Sequence, residues 1–363
     1  MVQKAANTLS DEEATASGRN AISFEGVDRC PICNHHESEP EIENAEDYLY
    51  FIPGKFNYRR CLNCTVVFED PRPAEKDLAR CYVDYHTHEA QSLPESFLGE
   101  WHGASRWIRG GVLARKYGYS HLAGSGLQTL LACALDMVPP VRKPARCYLE
   151  KSLPRFTGEG RALEVGIGNG QYAAMLKRLG WQVEGVELDP TAAANTSRRY
   201  KIPVSVGTLE AARFPAGSFD FLSMFHVIEH LPDPIATLRE CRRILRPGSR
   251  IMLRTPNFDS NTRRAFGKFW RGLEAPRHLV VFNPNSLEQA LATAGFSVAR
   301  ITTIPTATRH YVESSLAIAA ANENPVIPRG SVGRLTRLYN LQANIARISG
   351  KLAGDELHVE AIC

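Results

Sequence analysis

Residues 162–170, Ala162-Leu163-Glu164-Val165-Gly166-Ile167-Gly168-Asn169-Gly170, pass from a short apolar run into a Gly-x-Gly-x-Gly turn, with an amphipathic stretch over 171–179 behind it. Glycines at such a turn allow a tight reversal and let a ligand approach the backbone closely. A second apolar run, Val183-Glu184-Gly185-Val186-Glu187, ends on an acid at the separation at which a carboxylate accepts hydrogen bonds from two ribose hydroxyls. The third glycine follows the second by two residues, whereas the dinucleotide fingerprint Gly-x-Gly-x-x-Gly needs three.

Outward from this core, short apolar runs alternate with longer amphipathic segments after Gly158, the pattern of βαβ units and a mainly parallel sheet. Strands are expected at 162–165, 182–187, 204–206, 219–225, 250–254 and 297–301, and a last one at 357–362 after a helical stretch over 306–354. Asp233-Pro234 and Asn283-Pro284 each put a capping residue before a first-turn proline, with Gly248 and Gly295 expected to end those two helices.

The chain has 363 residues, 44% hydrophobic and 23% charged, enough apolar material for a real core and enough length for a catalytic domain with smaller modules. The net charge of +4 is spread along the sequence and forms no polybasic block, so composition alone neither demands nor forbids nucleic acid. The polar, acidic opening lacks the basic and apolar regions of a signal peptide, which leads to the expectation of a cytoplasmic protein. The apolar stretch 122–141 is broken by Gln128, Asp136 and Pro139-Pro140, so no membrane span is expected. The expected organisation is a disordered tail over 1–25, a metal module over 26–73, a helical connector or cap over 74–157, the catalytic domain over 158–304, and a helical segment with the final strand over 305–363.

Two of the nine cysteines form Cys30-Pro31-Ile32-Cys33, and two more form Cys61-Leu62-Asn63-Cys64. Each Cys-x2-Cys lets two thiolates bind one tetrahedral Zn²⁺ from a single knuckle, and four sulfurs close the shell, so the metal would be structural. His35 and His36 offer a nitrogen ligand instead. The aromatics Tyr48, Tyr50, Phe51, Phe56 and Tyr58 beside Lys55, Arg59 and Arg60 read either as packing around the module or as a base-stacking surface.

These residues resemble the class I S-adenosylmethionine-dependent methyltransferases, in particular bacterial members with an N-terminal four-cysteine zinc module. The resemblance rests on the glycine turn and on Gly185-Val186-Glu187-Leu188-Asp189-Pro190. It continues through Phe219-Asp220, His226-Val227-Ile228-Glu229-His230-Leu231, Leu245-Arg246-Pro247-Gly248 and Ala294-Gly295-Phe296. It implies a doubly wound, Rossmann-like α/β fold with a seven-stranded, mainly parallel sheet. It implies adenosylmethionine held by Glu164, Gly166, Gly168, Gly170 and Glu187, with Thr208, Leu209 and Glu210 along the adenine. Ile167 departs from the cysteine that many members carry.

In-line methyl transfer needs donor and acceptor aligned, and a base when the acceptor is a hydroxyl. Candidates near the carboxyl edge of the fourth strand are His226, Glu229 and His230, the last resembling the general base of sugar and quinone methyltransferases that share a Glu-His pair. His278, in the loop Glu274-Ala275-Pro276-Arg277-His278-Leu279, is the second candidate base, and Arg277 a candidate holder of an anionic acceptor. The expected acceptor is a small molecule, a sugar, glycan precursor or natural-product intermediate methylated on oxygen or carbon. An RNA methyltransferase and a non-catalytic cofactor-binding scaffold stand as alternatives. The oligomeric state is not legible.

Overall fold

The computed structural model describes residues 22–82, 103–136, 153–303, 307–322 and 331–363. The expectations for the leading tail up to residue 21, for a break at Pro139-Pro140 and for a helix opening at Thr306 lie outside those residues.

The first part of the chain gives β1 (Phe24–Glu25), β2 (Ser38–Ala45), β3 (Phe56–Cys61), β4 (Val67–Glu69) and β5 (Arg72–Pro73), then the connector helices α1 (Gly103–Tyr117) and α2 (Gly126–Asp136). The second part alternates as the periodicity predicts: β6 (Arg161–Val165), α3 (Gln171–Arg178), β7 (Gln182–Glu187), α4 (Pro190–Tyr200), β8 (Val204–Val206), β9 (Phe219–Phe225), α5 (Pro234–Ile244) and β10 (Leu245–Pro256). It ends with α6 (Asn261–Phe266), β11 (Val280–Val281), α7 (Pro284–Thr293), β12 (Ser297–Thr303), α8 (Thr308–Ala321), α9 (Val332–Ile348) and β13 (Glu356–Ile362).

The large sheet has seven strands in the order β12-β13-β10-β9-β6-β7-β8. β10, β9, β6, β7 and β8 pair in parallel, and β13 runs antiparallel to both β10 and β12. Helices cover both faces. Ile235, Leu238, Leu287 and Leu291 pack on one side of the central strands, and Leu113, Met175 and Leu176 on the other. Strands covered on both faces need continuous apolar runs, which is why Phe219–Phe225 carries Phe, Leu and Met without alternation. The connector is tied to the sheet through Tyr119, whose hydroxyl accepts from Trp181 Nε1 at 3.0 Å and donates to the Pro154 carbonyl at 2.9 Å.

The caps at Asp233 and Asn283 form as the sequence predicts, Asp233 accepting from the Ala236 amide and Asn283 making a reciprocal capping box with Ser286. Gly248 does not end α5. The helix stops at Ile244, and the chain enters β10 at once, with Gly248 (φ +79°) at the shift in pairing to β9 between Leu245 and Arg250. Pro247, without an amide proton, cannot serve that stretch of the ladder, and the bulge absorbs it.

A second sheet has the order β11-β4-β3-β2, so its edge strand comes from the loop that follows β10. The paired cysteines, Val66 and Phe68 share one continuous core with Leu279, Phe282 and Leu287. Phe56 and Tyr58 are buried with Phe258, Trp270, Tyr311 and Tyr339, in the core that also seats α8 and α9. No helix among the described residues is long and apolar enough to cross a membrane.

Candidate active site

The carboxyl ends of the parallel strands meet at one edge, where open α/β sheets bind ligands. Gly166, Gly168 and Gly170 leave β6 with φ of +69°, +49° and +69°. A side chain at Gly166 would meet Val227 Cγ2 at 2.3 Å, whereas one at Gly168 would meet nothing within 4 Å. The turn is therefore clamped at its first glycine and open at its second. Glu187, ending β7, reaches back to the turn: its Oε2 accepts from the Gly168 amide at 2.8 Å and its Oε1 from the Asp189 amide at 3.1 Å. Beneath the turn, Glu164 is buried with Oε2 unpartnered, and burial pushes its carboxyl up to about 8. An open backbone cradle, a carboxylate at its rim and an orphaned carboxyl oxygen below fit a cofactor with ribose hydroxyls and a positive charge.

The 207–210 loop follows β8 and is held beside Glu187 by the Gly207 amide, which donates to the Glu187 carbonyl at 2.9 Å. Leu209 is buried, Thr208 Oγ1 accepts from the Ala211 amide at 3.2 Å, and Glu210 accepts from Thr237 Oγ1 at 2.8 Å. Thr208 and Glu210 thus brace their own loop.

His226 leaves β9 in a left-handed conformation (φ +54°), its amide bonded to the Arg254 carbonyl at 2.9 Å. Its Nδ1 lies 3.4 Å from Glu229 and its Nε2 3.4 Å from Glu356. Burial opposes a charge here, but the carboxylates of Glu356 and Glu229 outweigh it and push His226 up to about 10. An imidazolium so held has no lone pair to accept a proton at neutral pH. Glu229 is itself fully buried, accepts from Thr255 Oγ1 at 3.1 Å, and is kept ionised against burial by His226 and His230.

His230 and His278 lie edge to face with ring centroids 4.6 Å apart. His230 Nδ1 is 2.9 Å from the Arg277 carbonyl and 3.0 Å from the Tyr82 hydroxyl, and His278 Nδ1 is 2.8 Å from the Gly272 carbonyl. Burial pulls His278 down to about 4 despite Glu274, which lies 3.6 Å from its Nε2. The structure thus gathers His226, Glu229, His230 and His278 at one edge, with the Val227 contact joining them to the glycine turn.

Arg277 does not face this cleft. Its guanidinium is fully buried, bonded to both carboxylate oxygens of Asp47 at 2.7 and 2.8 Å and stacked 4.4 Å from the Tyr50 ring, so it is not available to an anionic acceptor. A loop arginine read from sequence is in fact the bolt between the segment after β2 and the loop before β11. Sequence reasoning missed Glu356, Tyr82 and Thr255. Glu356 reaches the site only because β13 pairs antiparallel with β10, opposite Pro256. No local pattern marks it.

The four cysteines are free thiols whose sulfurs lie within 4.8 Å of one another. Cys30–Cys64 and Cys33–Cys61 are 3.4 and 3.5 Å apart, close to the edge of about 3.8 Å expected around zinc with 2.3 Å bonds. Asn34 (φ +61°) and Thr65 (φ +63°) close the two knuckles by donating their amides to the Cys30 and Cys61 carbonyls. This donor set fits a tetrahedral thiophilic ion. His35 instead faces Glu37 at 3.7 Å.

The sheet order, with a glycine turn ending one central strand and a carboxylate ending the next, defines a class I, Rossmann-like methyltransferase domain. Residues 141–301 match the family model of a methyltransferase domain. A probable S-adenosylmethionine-dependent methyltransferase of Mycolicibacterium smegmatis is 34% identical over 137 residues, 38% of this chain and 51% of that protein. A ubiquinone biosynthesis O-methyltransferase of Xanthomonas oryzae pv. oryzae is 35% identical over 104 residues, 27% of this chain and 43% of that protein. The chain thus spans about half the length of the curated relatives it matches. A solved S-adenosylmethionine-dependent methyltransferase from Archaeoglobus fulgidus aligns over 61% of this chain and 94% of its own, with 20% identity and a TM-score of 0.41.

Proposed function

We propose that the chain transfers a methyl group from S-adenosylmethionine to an oxygen of a small-molecule acceptor, a sugar, glycan precursor or natural-product intermediate. The observation that carries this reading is the packing of Val227 on Gly166, which sets the His226–His230 turn directly on the cofactor turn. The relative named for O-methylation favours oxygen over carbon.

Bound adenosylmethionine supplies an electrophilic methyl group on a positively charged sulfur. Glu187 would exchange its bonds to the Gly168 and Asp189 amides for ribose hydroxyls, and Glu164 would meet the cofactor's positive end, regaining its charge. His226, an imidazolium between two carboxylates, orients the turn and takes no proton. His230, half-buried at the mouth with His278 behind it, is the group that weakens the acceptor hydroxyl's hold on its proton as oxygen attacks the methyl carbon.

A nucleic-acid acceptor is disfavoured by the same geometry: Phe56 and Tyr58 are core, and Arg60 is paired with Glu41 at 2.8 Å. The four cysteines are assigned a structural zinc on the strength of their spacing.

Calorimetric titration with adenosylmethionine and separately with NAD, followed by transfer of labelled methyl to a panel of nucleotide sugars and hydroxylated small molecules, tests the reading. Adenosylmethionine binding with label in an acid-stable methyl ether supports it. Preference for NAD, or label only in RNA, overturns it.

A further inference from the structure

Glu229, His230 and His278 do more than sit near one another. Their ligand-type atoms all lie within 4.8 Å of each other, and they come from two separate places in the fold, the turn after β9 and the loop before β11. Both histidines present Nδ1 to a main-chain carbonyl, His230 to Arg277 at 2.9 Å and His278 to Gly272 at 2.8 Å. A carbonyl only accepts, so in the neutral ring the proton sits on Nδ1 and Nε2 carries the lone pair. Metal-binding histidines are oriented in this way, the far nitrogen tied back so that the near one is free to coordinate.

The carboxylates around the pair are sorted in the same sense. Glu274 is engaged by Arg271 and Arg277, while Glu229 is steadied by Thr255 at 3.1 Å and buried beside the two rings. His226, 3.4 Å from Glu229, is the cation that now answers this carboxylate, and donor atoms drawn this close together suit a second cation among them.

We propose that Glu229, His230 and His278 form a second metal site, a two-histidine, one-carboxylate set for a divalent cation of the manganese, iron or cobalt type. Nitrogen and oxygen donors accept ions of this series, and zinc as well, where the four sulfurs of the knuckles favour zinc. At bond lengths of about 2.1 Å, each ligand atom moves inward by about 1 Å or less to close on the ion. Three protein ligands leave coordination positions open on the side of His230, the half-buried member of the set. The ion's role rests on the methyl-transfer reading: with the ion bound, His230 would serve as its ligand and not as the base, and an acceptor oxygen bound to the ion would lose its proton more readily. Its binding does not rest on that reading.

Full-length protein carrying one zinc per chain and freed of excess zinc is titrated with Mn²⁺ and followed by electron paramagnetic resonance, with pulsed spectra read for nitrogen coupling. One Mn²⁺ per chain, coupled to imidazole nitrogen, is expected. In His230→Ala it should bind at least about tenfold more weakly, with adenosylmethionine affinity unchanged. No binding up to about 1 mM Mn²⁺, binding without nitrogen coupling, or equal binding by the variant overturns the site. Mn²⁺ bound as expected in a protein that ignores adenosylmethionine would sink the methyl-transfer reading and leave the metal site standing.

Discussion

The cysteine knuckles and the glycine turn both depend on left-handed backbone, and they use it to opposite ends. Asn34 and Thr65 fold two short loops inward until their amides meet the Cys30 and Cys61 carbonyls and the four sulfurs face one point. Gly166 and Gly168 fold outward, leaving open space above Gly168 and an unpartnered Glu164 oxygen below. A region whose polar groups are all answered internally contributes stability; one that leaves groups unanswered keeps them for a ligand. Substitutions in the first region should therefore move folding, and those in the second should move binding.

The largest effect is expected from Cys30→Ser. Structural zinc in small modules contributes about 10–16 kcal/mol, as much as the whole net stability of a typical domain, about 5–15 kcal/mol. Because the knuckles share a core with Leu279 and Phe282, the variant should fail to accumulate as folded protein. A variant that melts cooperatively at the parent temperature would break the contrast.

Next comes Asp47→Ala, which takes from the buried Arg277 guanidinium its two-oxygen partner, leaving Glu274 at 3.4 Å, and should cost about 3 kcal/mol in urea unfolding. Replacing both partners with apolar residues should recover much of that loss. Glu187→Ala lies on the open side: adenosylmethionine should bind more weakly by about 1.5–3 kcal/mol, the worth of hydrogen bonds to a charged group, with the unfolding midpoint little changed. A large stability loss there would show the turn to be a folding element after all.

The smallest effect concerns Glu164. Its folded carboxyl titrates near 8, above the ordinary 4.5, because burial disfavours the charge. The native state thus holds that proton more tightly than the unfolded chain, and the stability so gained is full below about 4.5 and lost as pH rises through about 8. Without cofactor, Glu164→Gln should lose less melting temperature than the parent between pH 5 and pH 8.5, by a few degrees. Equal pH dependence would mean that Glu164 is ionised in the free protein.

The cofactor half of the sheet is legible because its signals are local. The runs 182–187, 204–206 and 219–225 are short, rich in valine or aromatic residues with glycine or proline close by, and fold as strands over those same residues. The other half is assembled from distant pieces. Asp47 and Arg277 are 230 residues apart, and Glu356 reaches His226 from the last strand. Burial is what converts Arg277 from a surface cation into a bolt, and no spacing rule reports burial of a single charged residue inside a loop. Gly248 misleads for a related reason: a glycine after a helical pattern marks a left-handed residue, and it does not say whether that residue caps a helix or relieves a strand.

The pairing of Val67–Glu69 with Val280–Val281 also bears on how the chain is made. A ribosome adds about 5–20 residues per second, so the exposed edge of the second sheet waits roughly 10–40 s for its closing strand, which lies about 210 residues downstream. Throughout that interval the nascent chain presents an unpaired strand edge of the kind that recruits other chains. The two cysteine pairs, both upstream of that edge, are complete long before, so early capture of the metal would hold the strand in place until its partner arrives.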